Sequence, residues 1–222
     1  MAIEQIVLAI EPGFTLQAAH ATQTGDILAV IDNYGTSSLR WTNGAAPTTK
    51  IVRYDKNYKP TWQYSSPRAF VAQKLEVGLG GEFVFAGQTS DLAITTRGRD
   101  LANQAIYTFK NDGKLIDQFM LDGNGNEQIS RIQLSDRGIA WITATSDSTT
   151  ALGTNNYNTA APIDPFAPGK PDNSKGDDVL VIRIDAVNGG HTSYRIGAED
   201  YDGSLGGKIL DTDDSFVLSA TS

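Results

Sequence analysis

The chain has 222 residues, of which 40% are hydrophobic and 20% charged, and its formal net charge is −8 at pH 7. This composition is typical of an ordered globular protein, and the lack of cysteine excludes disulfides and thiolate metal sites. Because a negative surface repels phosphate backbones, nucleic acid is not expected as a partner. No apolar run approaches the roughly 20 residues that a bilayer-spanning helix requires, so membrane insertion is not expected either.

The first predicted element is a strand over residues 3–10. The N-terminal sequence is acidic and lacks the basic region that opens a signal peptide, so a strand is the better interpretation. The chain is therefore either not exported by that route or has lost a leader. A second predicted strand, over residues 14–21, follows the turn Glu11-Pro12-Gly13.

Strand-forming runs that follow a tight polar turn recur along the chain. They are spaced by about 56 residues in the first two intervals and about 76 in the third, and begin at Asp26, Glu82, Gly138 and Asp214. Hairpin-forming runs recur with nearly the same intervals and begin at Ile51, Ala105 and Val179. Two of their turns contain Asp112-Gly113 and Asn188-Gly189, which supply the positive φ of tight hairpins. Two independent markers with one period indicate a structural repeat.

Each repeat is predicted to form four antiparallel strands, named A to D. Strand A precedes the first turn, strand B is the first marker, and strands C and D form the hairpin. Strand B is apolar on both faces, as in Phe83, Val84 and Phe85, which suits burial between neighbouring sheets. With short period-2 runs and no helical pattern, the repeat predicts an all-β fold, a β-propeller of four-stranded antiparallel blades.

The sequence predicts a single domain over residues 1–222 with three complete blades and parts of two others. The repeat units are residues 14–65, 69–120, 127–197 and 203–222, and residues 3–10 supply the outer strand of a preceding or closing blade. A closed ring needs about four to eight blades. Three explanations remain open: a fragment of a longer polypeptide, a ring completed by a second copy, or a compact ring in which residues 3–10 lie beside residues 215–220.

The hairpins share a pattern of a large apolar residue, a polar turn and a later aromatic residue. It occurs in Tyr54-Asp55 with Trp62, in Phe109 to Gly113 with Phe119, and in Ile184-Asp185 with Tyr194. Together with the strand B runs, this pattern resembles bacterial β-propeller repeat proteins over nearly the whole chain. No repeat has the His and Trp-Asp marks of WD repeats. The resemblance implies a binding or scaffold module and no particular substrate.

The candidate binding residues lie in the B–C connections, which emerge on one face of a propeller. These connections are long, covering residues 33–49, 89–103 and 146–177, and long loops on a rigid scaffold are common binding sites. Their aromatic and guanidinium side chains suit a sugar, an anionic group or a protein surface: Arg40, Trp41, Arg97, Arg99, Tyr157 and Phe166. Ordinary loop packing and a solvated surface are the alternatives.

One run has the composition of a calcium loop. Asp122, Asn124 and Asn126 alternate with glycine, which places oxygen-bearing side chains at every second position. The run is short and lacks the carboxylate at the twelfth position of such loops, so an ordinary turn between strands D and A is the alternative. No other cofactor is indicated.

Catalysis has little support in the sequence. The two histidines, His20 and His191, fall in different repeats, and no nucleophile elbow or phosphate loop occurs. The sequence therefore predicts a non-enzymatic binding or structural module that presents loops to a protein or glycan, and a cell-surface or virion component fits its composition. The alternative is a propeller-type polysaccharide hydrolase or lyase that uses Asp200 and Asp202.

Overall fold

A computed structural model describes eight stretches of the chain: residues 6–33, 48–66, 70–89, 103–121, 127–146, 178–196, 205–210 and 215–220. Within these stretches the chain is all-β, without a helix. It forms three four-stranded antiparallel sheets and one two-stranded sheet. In this described part no helix has the length and apolar character needed to cross a membrane.

The three large sheets are built alike, each as a meander in which chain neighbours pair. Sheet 1 consists of β1 (Thr15–Ala21), β2 (Ile27–Asp32), β3 (Thr49–Tyr54) and β4 (Pro60–Ser65). Sheet 2 consists of β5 (Phe70–Val77), β6 (Phe83–Thr89), β7 (Asn103–Phe109) and β8 (Leu115–Leu121). Sheet 3 consists of β9 (Glu127–Leu134), β10 (Ile139–Ser146), β11 (Asp178–Asp185) and β12 (His191–Ile196). The prediction of four antiparallel strands per repeat is confirmed.

The fourth sheet pairs β13 (Leu205–Leu210) with β14 (Ser215–Ala220), as expected for strands A and B of a further unit. Each large sheet is open, because its first and fourth strands do not pair with each other. The long B–C connections begin and end where the last ladder pairs of β2–β3, β6–β7 and β10–β11 are formed: Asp32 with Thr49, Thr89 with Asn103, and Ser146 with Asp178.

The turn between the first two strands has the same geometry in all three large sheets. The amide of the first turn residue donates to the carbonyl four residues later, at 2.8–2.9 Å, in Thr22–Asp26, Gly78–Glu82 and Ser135–Ile139. A glycine with φ between +76° and +84° occupies the fourth position: Gly25, Gly81 and Gly138. Glycine is required there because a Cβ is disfavoured at positive φ. The first two strands of each large sheet are therefore joined by the same type of turn.

A β-bulge occurs at the equivalent place in the first strand of each large sheet. The register shifts at Gln17, at Gln73 and at Ser130, each five residues before the first residue of the following turn. A bulge adds an unpaired residue and increases the local right-handed twist. The three first strands therefore share an irregularity that favours a stronger local twist.

The sheets pack face to face through two apolar layers. Phe83 and Phe85 of β6 belong to the layer shared with sheet 1, while Val84 and Ala86 belong to the layer shared with sheet 3. The prediction that strand B is buried on both faces is confirmed here. Between sheets 1 and 2, Trp62 meets Phe83 and Phe109 edge to face, with ring centroids 5.9 Å apart in each pair.

The predicted strand over residues 3–10 is wrong over its described part. Residues 6–14, called the strap from here on, contain no strand. The strap lies across the outer face of sheet 1, where Leu8, Ile10 and Phe14 pack on an apolar cluster that includes Tyr54. The Tyr54 hydroxyl donates a hydrogen bond to the carbonyl of Ala9 at 2.9 Å. Alternating apolar residues therefore cover a sheet face instead of joining a ladder.

Candidate functional site

The residues that the sequence singled out for binding lie outside the described stretches. This holds for Arg40, Trp41, Arg97, Arg99, Tyr157 and Phe166, for the calcium candidates Asp122, Asn124 and Asn126, and for the catalytic alternatives Asp200 and Asp202. The structure neither brings them together nor separates them, so they stay predictions. What it does describe is the end of the sheets from which the long connections emerge, here called the connection end.

Several polar side chains are buried at the connection end. Asp32, Thr49, Gln104 and Glu127 are each at most 2% exposed. Gln17 donates from Nε2 to Asp32 Oδ1 at 2.9 Å, which links β1 to the end of β2. Buried polar groups need hydrogen-bond partners, and the Oε1 atom of Gln104 is buried without one. The strand ends from which the connections emerge are therefore polar as well as buried.

A polar groove of about 430 Å³, called the inner groove, runs between β5 and β9. Charged and hydrogen-bonding side chains line it: Lys74, Glu76, Ser130, Arg131, Gln133 and Asp136. Burial raises the pKa of Glu76, although the nearby charges of His20 and Arg131 act in the opposite direction. His20, Glu76 and Arg131 belong to the first strands of three different sheets, so the first strands bring their charges together.

Side chains of the inner groove, together with His20, occupy equivalent positions in the repeats. The sequence therefore contained a signal that could have located them. His20, Glu76 and Gln133 each lie two residues before the first turn residue, and Lys74 and Arg131 each lie four residues before it. Aligning the repeats at their turns therefore predicts one polar layer across the first strands. His20, Glu76 and Arg131 were not among the site residues predicted from the sequence.

A second cleft, of about 650 Å³, lies at the opposite end of the sheets and is called the turn-end cleft. The turns of sheets 2 and 3 and the end of β3 line it, with Arg53, Glu82, Lys110, Asn111, Asp112 and Val187 among its residues. Arg53 donates from Nη1 to the carbonyl of Asn111, which connects sheet 1 to the turn of sheet 2. Its Nε and Nη2 atoms are buried and have no hydrogen-bond partner.

An Asp–His pair joins the outer strands of sheets 2 and 3. His191 Nδ1 lies 2.8 Å from Asp117 Oδ2, and the imidazole packs on Phe119 with ring centroids 4.3 Å apart. The two residues are 74 positions apart, so no local pattern pointed to their contact. Among the described residues, no group of three His, Cys, Asp or Glu side chains is placed to hold a metal ion.

No known protein family matches this chain. No curated protein sequence matches it either. Its function is therefore inferred from its own residues and their geometry.

Proposed function

We propose that the chain is a non-enzymatic binding or structural module, a β-propeller-type scaffold that presents its long connections to a protein or glycan partner. The observation that carries the proposal is the equivalence of sheets 1, 2 and 3. They share strand order, turn geometry and bulge position. Repetition of one four-stranded unit is how propellers are built.

The placement of the first strands supports a radial arrangement. β5 lies close to both β1 and β9, and β10 lies close to β13. In a propeller the first strand of each blade lies nearest the axis, so contacts between successive first strands are expected. The polar side chains of the inner groove fit such a position, because a propeller has a central channel.

The direction of the long connections supports a binding role. Residues 33–48, 90–102 and 147–177 all begin and end at the connection end, while the short turns lie at the other end. Sheets that pack on one another through apolar layers give these connections a rigid base. Binding residues are frequently found on loops that a rigid scaffold positions.

Deleting residues 150–170 tests the role of the longest connection. The ladder between Ser146 and Asp178 stays intact in this variant, so we expect an unchanged circular dichroism spectrum and melting temperature. Both proteins are applied to an array of glycans and to a panel of immobilised proteins. Every glycan or protein that captures the full chain should fail to capture the deletion variant. As a matched control, alanine at Lys56 and Asn57, in a short turn at the other end, should leave binding unchanged.

If the deletion variant still captures the same partners, the longest connection does not form the binding surface. Light scattering at several concentrations tests a second partner, a further copy of the chain. A mass of two chains would support ring completion by self-association, and a mass of one chain at every concentration would contradict it. Turnover of any polysaccharide on the array would contradict the non-enzymatic part of the proposal.

A further inference from the structure

The turn-end cleft contains a positively charged group whose hydrogen bonds are only partly made. Arg53 uses Nη1 to bind the carbonyl of Asn111, while Nε and Nη2 have no partner. These two nitrogens carry the parallel N–H bonds with which a guanidinium grips a carboxylate. A buried donor without a partner costs free energy, so an anion that reaches this edge gains two charge-assisted hydrogen bonds.

Lys110 adds a second cation to the same cleft, at an exposed position in the turn after β7. Of the two acidic residues there, Asp112 is engaged within its own turn, because its Oδ1 accepts a hydrogen bond from the amide of Lys114 at 2.9 Å. Asp112 keeps its charge, so the cleft is lined by two cations, Arg53 and Lys110, and by two carboxylates, Glu82 and Asp112. The cations suit the carboxylate of a ligand, and the carboxylates suit its hydroxyl groups.

Glu82 supplies hydrogen-bond acceptors in the turn-end cleft. Its side chain is 7% exposed and lies against the turn glycines, since a Cβ added to Gly78 would stand 2.0 Å from Glu82 Oε1. Only glycine leaves room for the carboxylate at this place. A carboxylate has about four lone-pair sites, so Glu82 can accept hydrogen bonds from the hydroxyl groups of a ligand.

We infer that the turn-end cleft binds a sugar acid, a polyhydroxylated ring with one carboxylate. The ligand's carboxylate is held by Arg53 and Lys110, and its hydroxyls donate to Glu82. Val187, which is 44% exposed, offers an apolar surface to the ring. A volume of about 650 Å³ suits a small ligand.

Binding requires a small movement in the cleft. Nε and Nη2 of Arg53 are buried in the free protein, so the guanidinium has to rotate to face a ligand. The site lies at the end of the sheets opposite to the long connections. If the sugar-acid inference fails, the proposed binding role of the long connections is therefore unaffected. If that role fails, the sugar-acid inference is likewise unaffected.

Titration of the ¹⁵N-labelled chain with glucuronate, followed by NMR, tests the inference. We expect saturable shifts at the Arg53 Nε–H resonance and at the amides of Lys110 and Val187, with neutral glucose giving none. Arg53→Lys keeps the charge and removes the fork, and should weaken binding about ten- to a hundredfold. Lys110→Gln, at an exposed position, should weaken it without endangering the fold.

Lys56→Gln is the matched control, since it removes an exposed turn lysine outside the cleft and should leave the affinity unchanged. The inference is overturned if glucuronate in the millimolar range leaves these resonances unmoved. Equal affinity in wild type and Lys110→Gln also overturns it. Tighter binding of glycine than of glucuronate would exclude a sugar acid in favour of a zwitterion.

Discussion

Two glycines with nearly the same backbone conformation have very different surroundings. Gly25 has φ +84° and nothing within 4 Å of the position that a Cβ would take. Gly113 has φ +82°, and a Cβ there would stand 2.4 Å from the ring of Trp62. Gly113 therefore serves both the turn of sheet 2 and the packing of sheet 1 on that turn.

Alanine at these two positions separates backbone strain from packing. Gly25→Ala should cost about 1–2 kcal/mol, the usual penalty for a Cβ at positive φ. Gly113→Ala should cost about 1–3 kcal/mol more, because Trp62 must move away from an overpacked contact. Urea unfolding of both variants measures the difference, and equal losses would mean that Trp62 yields without cost.

The raised pKa of Glu76 in the inner groove predicts that the stability of the fold depends on pH. Burial raises its pKa above the ordinary value of 4.5, so its ionisation opposes folding. This penalty is complete above the folded-state pKa and absent below 4.5, where Glu76 is protonated in both states. Glu76→Gln should therefore melt at a higher temperature than wild type at neutral pH, and the gain should shrink as the pH falls through the folded-state pKa.

Asp55 provides a control of opposite sign. The backbone amide of Lys59 donates to its carboxylate, as does that of Asn57, and these hydrogen bonds lower its pKa below 3.8. Its stabilising effect is present above 3.8 and is lost as the pH falls through the lowered value. Asp55→Asn should thus melt lower at neutral pH and converge on wild type in acid. If Glu76→Gln still melts at a higher temperature than wild type in acid, the predicted link between Glu76 ionisation and stability is contradicted.

At the residue scale, turn chemistry was predictable and contacts between sheets were not. The Asp-Gly and Asn-Gly pairs located two hairpin turns, because few other residues accept positive φ there. The first hairpin turn instead places Tyr58 at φ +61°, which no residue preference indicates. Asp117 and His191 come into contact only because sheets 2 and 3 stack. The sequence of a single repeat therefore contains no signal for this contact.

At the scale of elements, the strap shows where an alternating pattern misleads. Leu8 and Ile10 alternate with less buried positions, as a strand does, because both side chains face sheet 1. Alternation reports which face is covered, and it does not report whether the backbone joins a ladder. The strands of the three large sheets were predictable because a turn signal at one end of each strand located it and the repeat gave a second marker of its position.

The Tyr54 hydroxyl is predicted to hold the strap in place. Tyr54→Phe keeps the buried ring and removes the hydrogen bond to Ala9, at a cost of about 0.5–1.5 kcal/mol. The strap should open more often, so limited proteolysis should cut faster within residues 6–14 while the sheets stay resistant. An unchanged cleavage rate there would show that the apolar contacts of Leu8, Ile10 and Phe14 suffice.

At the scale of the whole molecule, sheet 2 takes part in both apolar layers. It contributes Phe83 and Phe85 to one layer and Val84 and Ala86 to the other, so the layers share a sheet although they share no buried residue. The repeat period made this stacking predictable. Ring closure and the positions of the loop residues could not be predicted in the same way, because the long connections differ in length and do not follow the repeat.

The shared sheet predicts that the three large sheets unfold together. Ile51 lies in the layer between sheets 1 and 2 and Ile182 in the layer between sheets 2 and 3, and both are fully buried. Alanine at either position should cost about 2–5 kcal/mol. With fluorotryptophan labels, ¹⁹F NMR reports sheet 1 through Trp62 and sheet 3 through Trp141. Each variant should lower the denaturant midpoint equally at both reporters, since loss of either layer exposes a face of sheet 2. A midpoint that falls only at Trp62 in Ile51→Ala, with Trp141 unchanged, would show that the sheets unfold one at a time, as in a linear repeat array.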